Sequence, residues 1–236
     1  MCGRYVSTTA DPELAAHFKS IEAVGDPPAP SWNVAPTDRV RIVVERTASP
    51  GRVVRQLRSA RWGLVPSWSR SPWGTKMINA RSETVSHKPA FKAAAGRRRC
   101  LAPANGYFEW KKEGTTKIPF FLHDPSQPIL AMAGLYEIWS DESLPADHPD
   151  RWLWTCTIIT RPAHDALGAI HDRCPVLVPQ ALYSQWLDCS DGDALVAEGL
   201  LGSMSEPHLH PRQVSKDVGK VANNGPALIE PVGEGE

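Results

Sequence analysis

Short segments in which apolar and polar residues alternate, or in which β-branched and aromatic residues cluster, follow one another along the chain and are separated by Gly, Pro and Asp. Such a pattern predicts strands. The predicted strands are Gly3–Ser7, Arg39–Glu45, Val53–Trp62, Arg99–Ala102, Gly106–Lys111, Pro119–Leu122, Ile129–Trp139, Trp152–Arg161, Val176–Val178 and His208–Val214. Arg39–Glu45 and Val53–Trp62 are expected to pair as a hairpin across Ser49-Pro50-Gly51.

Helical spacing is confined to a few segments. Asp11-Pro12-Glu13 followed by Leu14, Phe18 and Ile21 predicts an amphipathic helix with proline in its first turn. Further helical character is expected at Ser82–Ala95, interrupted by Pro89, and at Ala163–Gly168 and Pro179–Leu187. Residues 25–36, with four prolines, and the segments from Trp62 to Gly74 and Ser140–Asp150 are expected to be loops.

These elements predict an α+β fold, with peripheral helices around a curved, mostly antiparallel and barrel-like sheet. A chain of 236 residues has room for one such domain, expected over residues 1–236, with a core of residues 1–225 and a flexible tail of residues 226–236. Apolar runs such as Ile129–Leu135 are too short to cross a bilayer, and the first residues lack the apolar segment of a secretory signal. A cytoplasmic location, near the nucleoid when the protein acts, is therefore expected.

Charge is balanced overall but segregated along the chain. Residues 1–118 hold 20 basic and nine acidic side chains, whereas residues 119–236 hold six and 17. From Arg39 to Arg99 there are 15 basic residues and two acidic ones, and arginine and lysine flank three of the tryptophans (Trp62, Trp68 and Trp73). A basic aromatic surface is typical of single-stranded nucleic-acid binding, although accidental segregation over a solvated surface gives the same count.

The five cysteines are scattered, with no C-x-x-C pair: Cys2, Cys100, Cys156, Cys174 and Cys189. An odd, dispersed set argues against a disulfide framework and against a structural zinc site, so reduced thiols and no metal or cofactor are expected. Cys2 is distinctive, because loss of Met1 would leave an α-amine with a reference pKa of about 7.7–8.0 beside the thiol. Such an aminothiol captures an aldehyde as a thiazolidine; the alternative is an ordinary frayed terminus.

Three polar clusters are candidates for chemistry. Asn79 and Arg81 would orient a substrate and hold a phosphate, or would simply begin a helix. Glu109 lies between aromatic residues, where a raised pKa suits a general acid or base, or where strand alternation turns it outward. His171 would transfer protons and Arg173 would hold an anion, or both would be structural.

Six motifs occur in order over nearly the whole chain: Met1-Cys2-Gly3-Arg4-Tyr5, Trp32-Asn33-Val34-Ala35-Pro36, Trp62-Gly63-Leu64-Val65-Pro66-Ser67-Trp68, Asn79-Ala80-Arg81-Ser82-Glu83, Gly106-Tyr107-Phe108-Glu109-Trp110 and His171-Asp172-Arg173-Cys174-Pro175. Together they resemble the SOS response-associated peptidase (SRAP) family of abasic-site processing proteins. Two positions depart from the family pattern: Cys174 stands where methionine is usual, and Gly219 stands where asparagine is expected.

The resemblance implies a monomer that binds single-stranded DNA, or its junction with duplex, and shields abasic sites by crosslinking to them. Cys2 would form a thiazolidine with the ring-opened sugar, and β-elimination at the imine would give lyase activity as a side reaction. Asn79 would hold the adduct, while Glu109 and His171 would transfer protons. The residues expected to contact DNA are Arg4, Asn33, Trp68, Arg81 and Arg173.

Two other functions compete with this interpretation. The first is a cysteine-type (auto)peptidase with Cys2 as its nucleophile, which would need an oxyanion hole that sequence does not reveal. The second is a non-covalent single-strand binding module, which accounts for the charge and the tryptophans but gives Cys2 and Glu109 no role.

Overall fold

Two β-sheets and five short helices make up the part of the chain described by this computed structural model, namely residues 2–49, 51–72 and 77–233. The strands are β1 (Arg4–Ser7), β2 (Glu22–Val24), β3 (Ser31–Val34), β4 (Arg39–Ser49), β5 (Arg52–Trp62), β6 (Asn79–Arg81), β7 (Arg99–Ala104), β8 (Gly106–Glu113), β9 (Thr116–His123), β10 (Leu130–Ser140), β11 (Trp152–Pro162), β12 (Arg173–Pro175) and β13 (His210–Gln213). The helices are α1 (Asp11–Phe18), α2 (Pro89–Arg97), α3 (Asp165–Gly168), α4 (Tyr183–Leu187) and α5 (Ala194–Ser203).

The larger sheet closes into a barrel. Its strands follow the order β11-β10-β7-β4-β5 through antiparallel pairs, and β5 then pairs with β11 in parallel, with Arg61 opposite Thr155 and Trp62 opposite Cys156. β12, β6 and β2 attach to this ring at β11 and β5. The predicted curved, mostly antiparallel and barrel-like sheet is confirmed, as is the β4–β5 hairpin; Pro50 of its turn lies outside the described residues.

The smaller sheet covers one end of the barrel. Its order is β13-β9-β8-β1-β3, and every pair in it is antiparallel. Tyr5 of β1, Tyr107 of β8 and Leu122 of β9 share one buried cluster with Ile42 and Trp62 of the barrel. The two sheets therefore share one core, and β1 is held directly over the end of the barrel.

The helices cover the outside of the barrel. Leu14 of α1 and Trp186 of α4 belong to a second cluster, together with Val43 and Leu57 of the β4–β5 hairpin. Residues 40–44 of β4 are buried without a break, because alternate side chains face the barrel interior and the helices. Within the described residues, no helix has the length and apolar character needed to span a membrane.

A buried ion pair fixes α1 to the barrel. Pro12 lies in the first turn of the helix, and Lys19, with a φ of 53°, ends it. Arg41 of β4 is only 3% exposed, and its Nε donates to Oδ1 of Asp11 at 2.9 Å. The same guanidinium donates to the carbonyls of Val24 and Gly25, so this buried charge is fully paired.

Two predictions near the N-terminus need correction. Ser31–Val34 of the predicted 25–36 loop forms β3, which is possible because it is an edge strand that lies beyond the neighbouring prolines. The first helix ends at Phe18, and Ile21, predicted to lie on its apolar face, is 69% exposed.

The helix predicted at Ser82–Ala95 begins only at Pro89. Proline disfavours helical backbone in the residue before it, and residues 82–88 accordingly form turns. Asn79, considered as a helix cap, lies instead in β6, a strand too short to show periodicity. α5, with its mixed burial, was not predicted, and neither was β2.

The C-terminal third also differs from the prediction in detail. Arg173–Pro175 forms the strand that pairs with β11, and the backbone N–H of Val176 continues this ladder by donating to the Ile159 carbonyl at 2.9 Å. The remainder of the predicted strand Val176–Val178 is hydrogen-bonded to β10, where Val178 donates to the Ala131 carbonyl at 2.9 Å. The predicted tail begins with a packed turn, Pro226–Ile229, because Leu228 is buried beside Phe108 and Val218. The division of residues 1–236 into a single domain and a tail otherwise stays a prediction.

We expect Asp11→Ala to lower the free energy of unfolding by about 3 kcal/mol, because it leaves the Arg41 charge buried without its carboxylate. Urea denaturation monitored by circular dichroism measures this. The control is Glu113→Ala, which removes an exposed ion pair with Lys111 and should cost less than about 1 kcal/mol. Equal losses in the two variants would contradict the role of the buried pair.

Candidate active site

Cys2 is buried at the covered end of the barrel. Its side chain has no exposed surface and belongs to the cluster that contains Tyr5, Trp62 and Tyr107. β1, which starts two residues later, pairs with β8 so that Arg4 lies opposite Phe108. One residue beyond this pair on each strand lie Gly3 and Glu109, so the register brings the Glu109 carboxyl group next to the N-terminal residues.

The Cys2 thiol and the Glu109 carboxyl group affect each other's protonation. Burial, and secondly the negative charge of Glu109, raise the pKa of the Cys2 thiol well above its usual range. Glu109 is itself only 3% exposed, and burial raises the pKa of its carboxyl group, while the positive charge of His171 acts in the opposite direction. The thiol is therefore neutral near pH 7, and Glu109 keeps its proton to a higher pH than an exposed glutamate does.

Asn79 connects Cys2 to the barrel. β6 runs parallel to β11, with Asn79 opposite Ile158, and Nδ2 of Asn79 donates to the Cys2 carbonyl at 2.8 Å. Oδ1 of Asn79 is buried and accepts no hydrogen bond from the residues that the structure describes. The amide thus fixes the backbone of Cys2 and leaves one buried acceptor beside it.

His171 lies in the turn between α3 and β12. Its backbone N–H donates to the carbonyl of Leu167 at 3.0 Å, which continues the turn of α3. Its Nδ1 lies 2.8 Å from Oδ1 of Asp172 and accepts from the backbone N–H of Arg173 at 3.0 Å. These two contacts of Nδ1 fix the orientation of the imidazole ring in the turn.

Arg81 and Arg173 lie on β6 and β12, which both pair with β11, but their surroundings differ. Arg81 of β6 is exposed, whereas the Arg173 side chain is 10% exposed and forms a bidentate ion pair with Glu83. Arg173 also donates to the Thr160 carbonyl at 2.6 Å. The hydrogen bond from Arg173 lowers the pKa of Glu83 to about 2, so this pair stays charged and ties β12 to the segment that follows β6.

Arg4 and Asn33 hold the C-terminal segment. Asn33 is 3% exposed; its Oδ1 accepts from Nη1 of Arg4 at 2.8 Å, and its Nδ2 donates to the carbonyls of Lys220 at 3.0 Å and Asn223 at 2.9 Å. Nη1 of Arg4 also donates to the Val218 carbonyl at 3.0 Å. The structure therefore gives both side chains internal partners, and their contact with DNA stays a prediction.

Trp68 presents its ring to solvent near the start of a long loop. It is 68% exposed, and the backbone next to it is held because Nε1 of Trp139 donates to the Ser69 carbonyl at 2.6 Å. Arg70 is exposed in the same loop. The predicted basic aromatic surface thus retains Trp68 and Arg70 but not Trp62, which is fully buried in the core. Trp73 and Lys76 lie outside the described residues.

The structure brings Cys2, Asn79, Glu109 and His171 towards one buried end of the barrel, and it leaves Trp68 and Arg81 exposed. Sequence reasoning missed the function of residues 218–223, whose carbonyls bind Arg4 and Asn33. The Asn223-Asn224 pair was the available signal, since asparagine side chains commonly bind nearby backbone in turns. Among the described residues, no three His, Cys, Asp or Glu side chains are grouped so that they could hold a metal ion.

Comparison with known proteins identifies relatives over almost the whole chain. The model of the SOS response associated peptidase (SRAP) family matches residues 1–221. The chain is 34% identical to "Abasic site processing protein YoqW" of Bacillus subtilis (strain 168), over 98% of this chain and 99% of that one. It is 34% identical to "Abasic site processing protein YedK" of Escherichia coli (strain K12), over 98% and 100%.

A more distant relative and a solved structure extend the comparison. "Abasic site processing protein HMCES" of Xenopus tropicalis is 26% identical over 97% of this chain and 78% of its own length. A crystal structure of a Bacteroides thetaiotaomicron protein has a TM-score of 0.80 at 24% identity, covers 98% of this chain and 100% of that one, and supports the fold alone. The family model and the two relatives at 34% identity, all matched over most of the chain, show that the chain belongs to the SOS response associated peptidase (SRAP) family.

Proposed function

We propose that this protein processes abasic sites in single-stranded DNA by forming a covalent crosslink through Cys2 after loss of Met1. The hydrogen bond from Asn79 to the Cys2 carbonyl is the observation that carries the proposal. It fixes the backbone of Cys2 beside the buried carboxyl group of Glu109, so the nucleophile and a proton donor are held together. The curated relatives described above are named for abasic-site processing, which supports the same substrate.

The chemistry requires two bonds from one residue. The Cys2 α-amine attacks the C1′ aldehyde of the ring-opened deoxyribose, and the carbinolamine loses one water to give an imine. The thiol S–H then adds across the C=N bond, with sulfur going to carbon and the proton to nitrogen, which closes a five-membered thiazolidine. The net change is the loss of one water, and ring closure is fast because both nucleophiles belong to one residue.

The surrounding side chains have separate roles in these steps. Glu109, which keeps its proton because it is buried, delivers that proton to the departing carbinolamine hydroxyl. Asn79 holds Cys2, and its buried Oδ1 accepts a hydrogen bond from the adduct. His171, oriented through Nδ1, transfers a proton to or from the sugar oxygen. β-Elimination at the imine gives a minor lyase activity, which ring closure suppresses.

Recruitment of DNA depends on exposed groups outside the buried site. Trp68 stacks on an unpaired base, and Arg81 binds a phosphate. Arg4, Asn33 and Arg173 contact the DNA strand at the edge of the site. The protein acts as a monomer, and its DNA substrate is a single strand or the junction of a single strand with duplex. The crosslink shields the lesion until repair.

A cysteine-type peptidase is the second candidate, favoured by the family's description. That reaction needs the Cys2 thiolate as its first nucleophile, yet burial and Glu109 raise the pKa of this thiol. Aldehyde capture needs the thiol only after the amine has formed the imine, so it is less hindered by the raised pKa.

We expect Cys2→Ala to abolish the heat-stable crosslink while retaining an adduct that appears only when borohydride is added, because the new terminal amine still forms an imine. Denaturing gels with an abasic oligonucleotide, run with and without borohydride, measure both products. Cys189→Ala, which removes another thiol, serves as the control and should crosslink normally. A heat-stable adduct of Cys2→Ala without borohydride would contradict the thiazolidine.

The rate of crosslinking should depend on pH as a bell. The reaction needs the α-amine neutral, which is favoured as the pH rises towards and above about 7.7–8.0, its pKa in model compounds, so the rate falls at low pH. On the alkaline side the rate falls because Glu109 loses its proton, at a pKa that burial has raised. Glu109→Gln should lower the maximum by about 10²–10⁴-fold and remove the alkaline fall. Single-turnover rates test this against Glu113→Gln, and an alkaline fall that persists in Glu109→Gln would contradict the role of Glu109.

Trp68→Ala should weaken the binding of single-stranded DNA by about 1–3 kcal/mol, the loss that accompanies removal of one stacked base. Fluorescence anisotropy with an uncleavable abasic analogue measures the affinity without the covalent step. Leu195→Ala is the control, since Leu195 is also an exposed apolar side chain, at 58%, but lies on α5, outside both surfaces considered for DNA. Equal affinities for the two variants would show that the stacking surface lies elsewhere.

A further inference from the structure

The end of the barrel away from the small sheet carries a cluster of arginines and aromatic rings. Trp154 lies four residues before Ile158, the β11 partner of Asn79, so this end is about 13 Å from the candidate site along the strand. The guanidinium carbons of Arg46 and Arg58 lie 5.3 Å and 4.8 Å from the centre of the Trp154 ring. We refer to these three residues, with Tyr136 and Arg97 beside them, as the distal mouth.

The two arginines on the Trp154 ring lack the neutralising partners that others of their hairpin have. Arg41 is paired with Asp11, and Arg55 with Glu45. Within the described residues, neither of the two arginines on the ring forms an ion pair, and the one on β5 makes a single hydrogen bond, from its Nε to Oε1 of Gln56 at 3.1 Å. Two positive charges are thus held on one indole with most of their N–H donors available.

A cavity of about 690 Å³ opens beside this cluster. Arg46 and Arg97 line it from two different elements. Glu45 and Asp188 line it as well, but Glu45 is engaged by an arginine of β5, and Asp188 accepts the backbone N–H of Ser190 at 2.9 Å. With Arg58 and Arg55 beside the cavity, four arginines (Arg46, Arg55, Arg58 and Arg97) face three carboxylates (Glu22, Glu45 and Asp188), which leaves a surplus of one positive charge among these residues. The cavity is large enough for an extended ligand.

We propose that the distal mouth binds the phosphodiester backbone of the DNA strand that leaves the candidate site, an inference that rests on the proposed function. Phosphates suit paired guanidinium groups, which bind them through several charge-assisted hydrogen bonds. Tyr136 stacks on the Trp154 ring at 5.2 Å, and the arginines lie against it too, so bases have no free aromatic face there. The contact is therefore to phosphates and is independent of sequence.

The geometry predicts a dependence on DNA length. The barrel is closed and its interior is filled, so a strand that joins the two surfaces must pass around the outside. At about 3.4 Å of rise per nucleotide, the distance of about 13 Å along β11 therefore sets a minimum of about four nucleotides. A trinucleotide with a central lesion reaches only the candidate site, whereas a 21-nucleotide strand reaches both surfaces.

The test compares Arg46→Gln/Arg58→Gln with Lys19→Gln/Lys92→Gln, which removes two exposed charges at the helices. Binding of a 21-nucleotide strand that carries an uncleavable abasic analogue is measured by anisotropy over a range of salt. We expect the arginine variant to bind about tenfold more weakly at moderate salt, with a salt slope smaller by about 1.4, since each lost phosphate contributes about 0.7. Crosslinking to the trinucleotide should keep its normal rate, which also shows that the variant is folded.

An unchanged affinity and salt slope for the long strand would overturn the proposal and would leave the distal mouth to another anionic partner, such as an acidic peptide. Equal losses with both DNA lengths would also overturn it, because the substitutions would then act through the fold. Failure of the wild-type protein to crosslink the trinucleotide would instead count against the proposed function, since the anisotropy measurement does not depend on the covalent step.

Discussion

The hydrogen bond from Asn79 to the carbonyl of Cys2 joins the start of the chain to the closed barrel. Asn79 is fixed because β6 pairs in parallel with β11, a strand of the closed ring, and Cys2 is fixed because β1 pairs with β8. An N-terminal residue ordinarily frays, since little holds it. Here pairing on one side and the amide on the other keep it buried, so the chemistry proposed for its amine and thiol starts from a defined geometry.

Burial at the covered end of the barrel raises the pKa of both the Cys2 thiol and the Glu109 carboxyl group, which hinders one reaction and helps the other. It raises the pKa of the Cys2 thiol and so reduces the fraction of thiolate, which is unfavourable for direct attack on a peptide carbonyl. It also raises the pKa of Glu109 and so retains a proton where a carbinolamine would need one. The same low-polarity environment therefore favours the amine-first route over the peptidase route. The supporting ion pair between Arg173 and Glu83 stays charged at the edge of this site because its hydrogen bonds lower the pKa of Glu83.

The sequence was sufficient to predict the strands of the barrel, because residues such as Val43 and Ile42 are buried on both faces and leave a strong apolar signal. It was insufficient for β6 and for the start of α2, because three-residue strands have no periodicity and the turn before Pro89 resembles helix in composition. Cys2, Asn79, Glu109 and His171, the residues proposed for the chemistry, could be selected from their sequence motifs. The C-terminal carbonyls that Arg4 and Asn33 bind could not, because they are backbone groups of residues more than 180 positions away in the chain.

Charge segregation along the chain becomes a spatial arrangement in the fold, with exposed Arg81 near the candidate site and Arg46 and Arg58 at the distal mouth. The central claim is that Cys2 captures the aldehyde as a ring. The intact mass of the protein after incubation with an abasic single strand tests it most directly. We predict the mass of the chain without Met1 plus the oligonucleotide minus one water, unchanged by borohydride because a thiazolidine has no C=N bond to reduce. No adduct, or an adduct that survives only after gaining two hydrogens from borohydride, would contradict it.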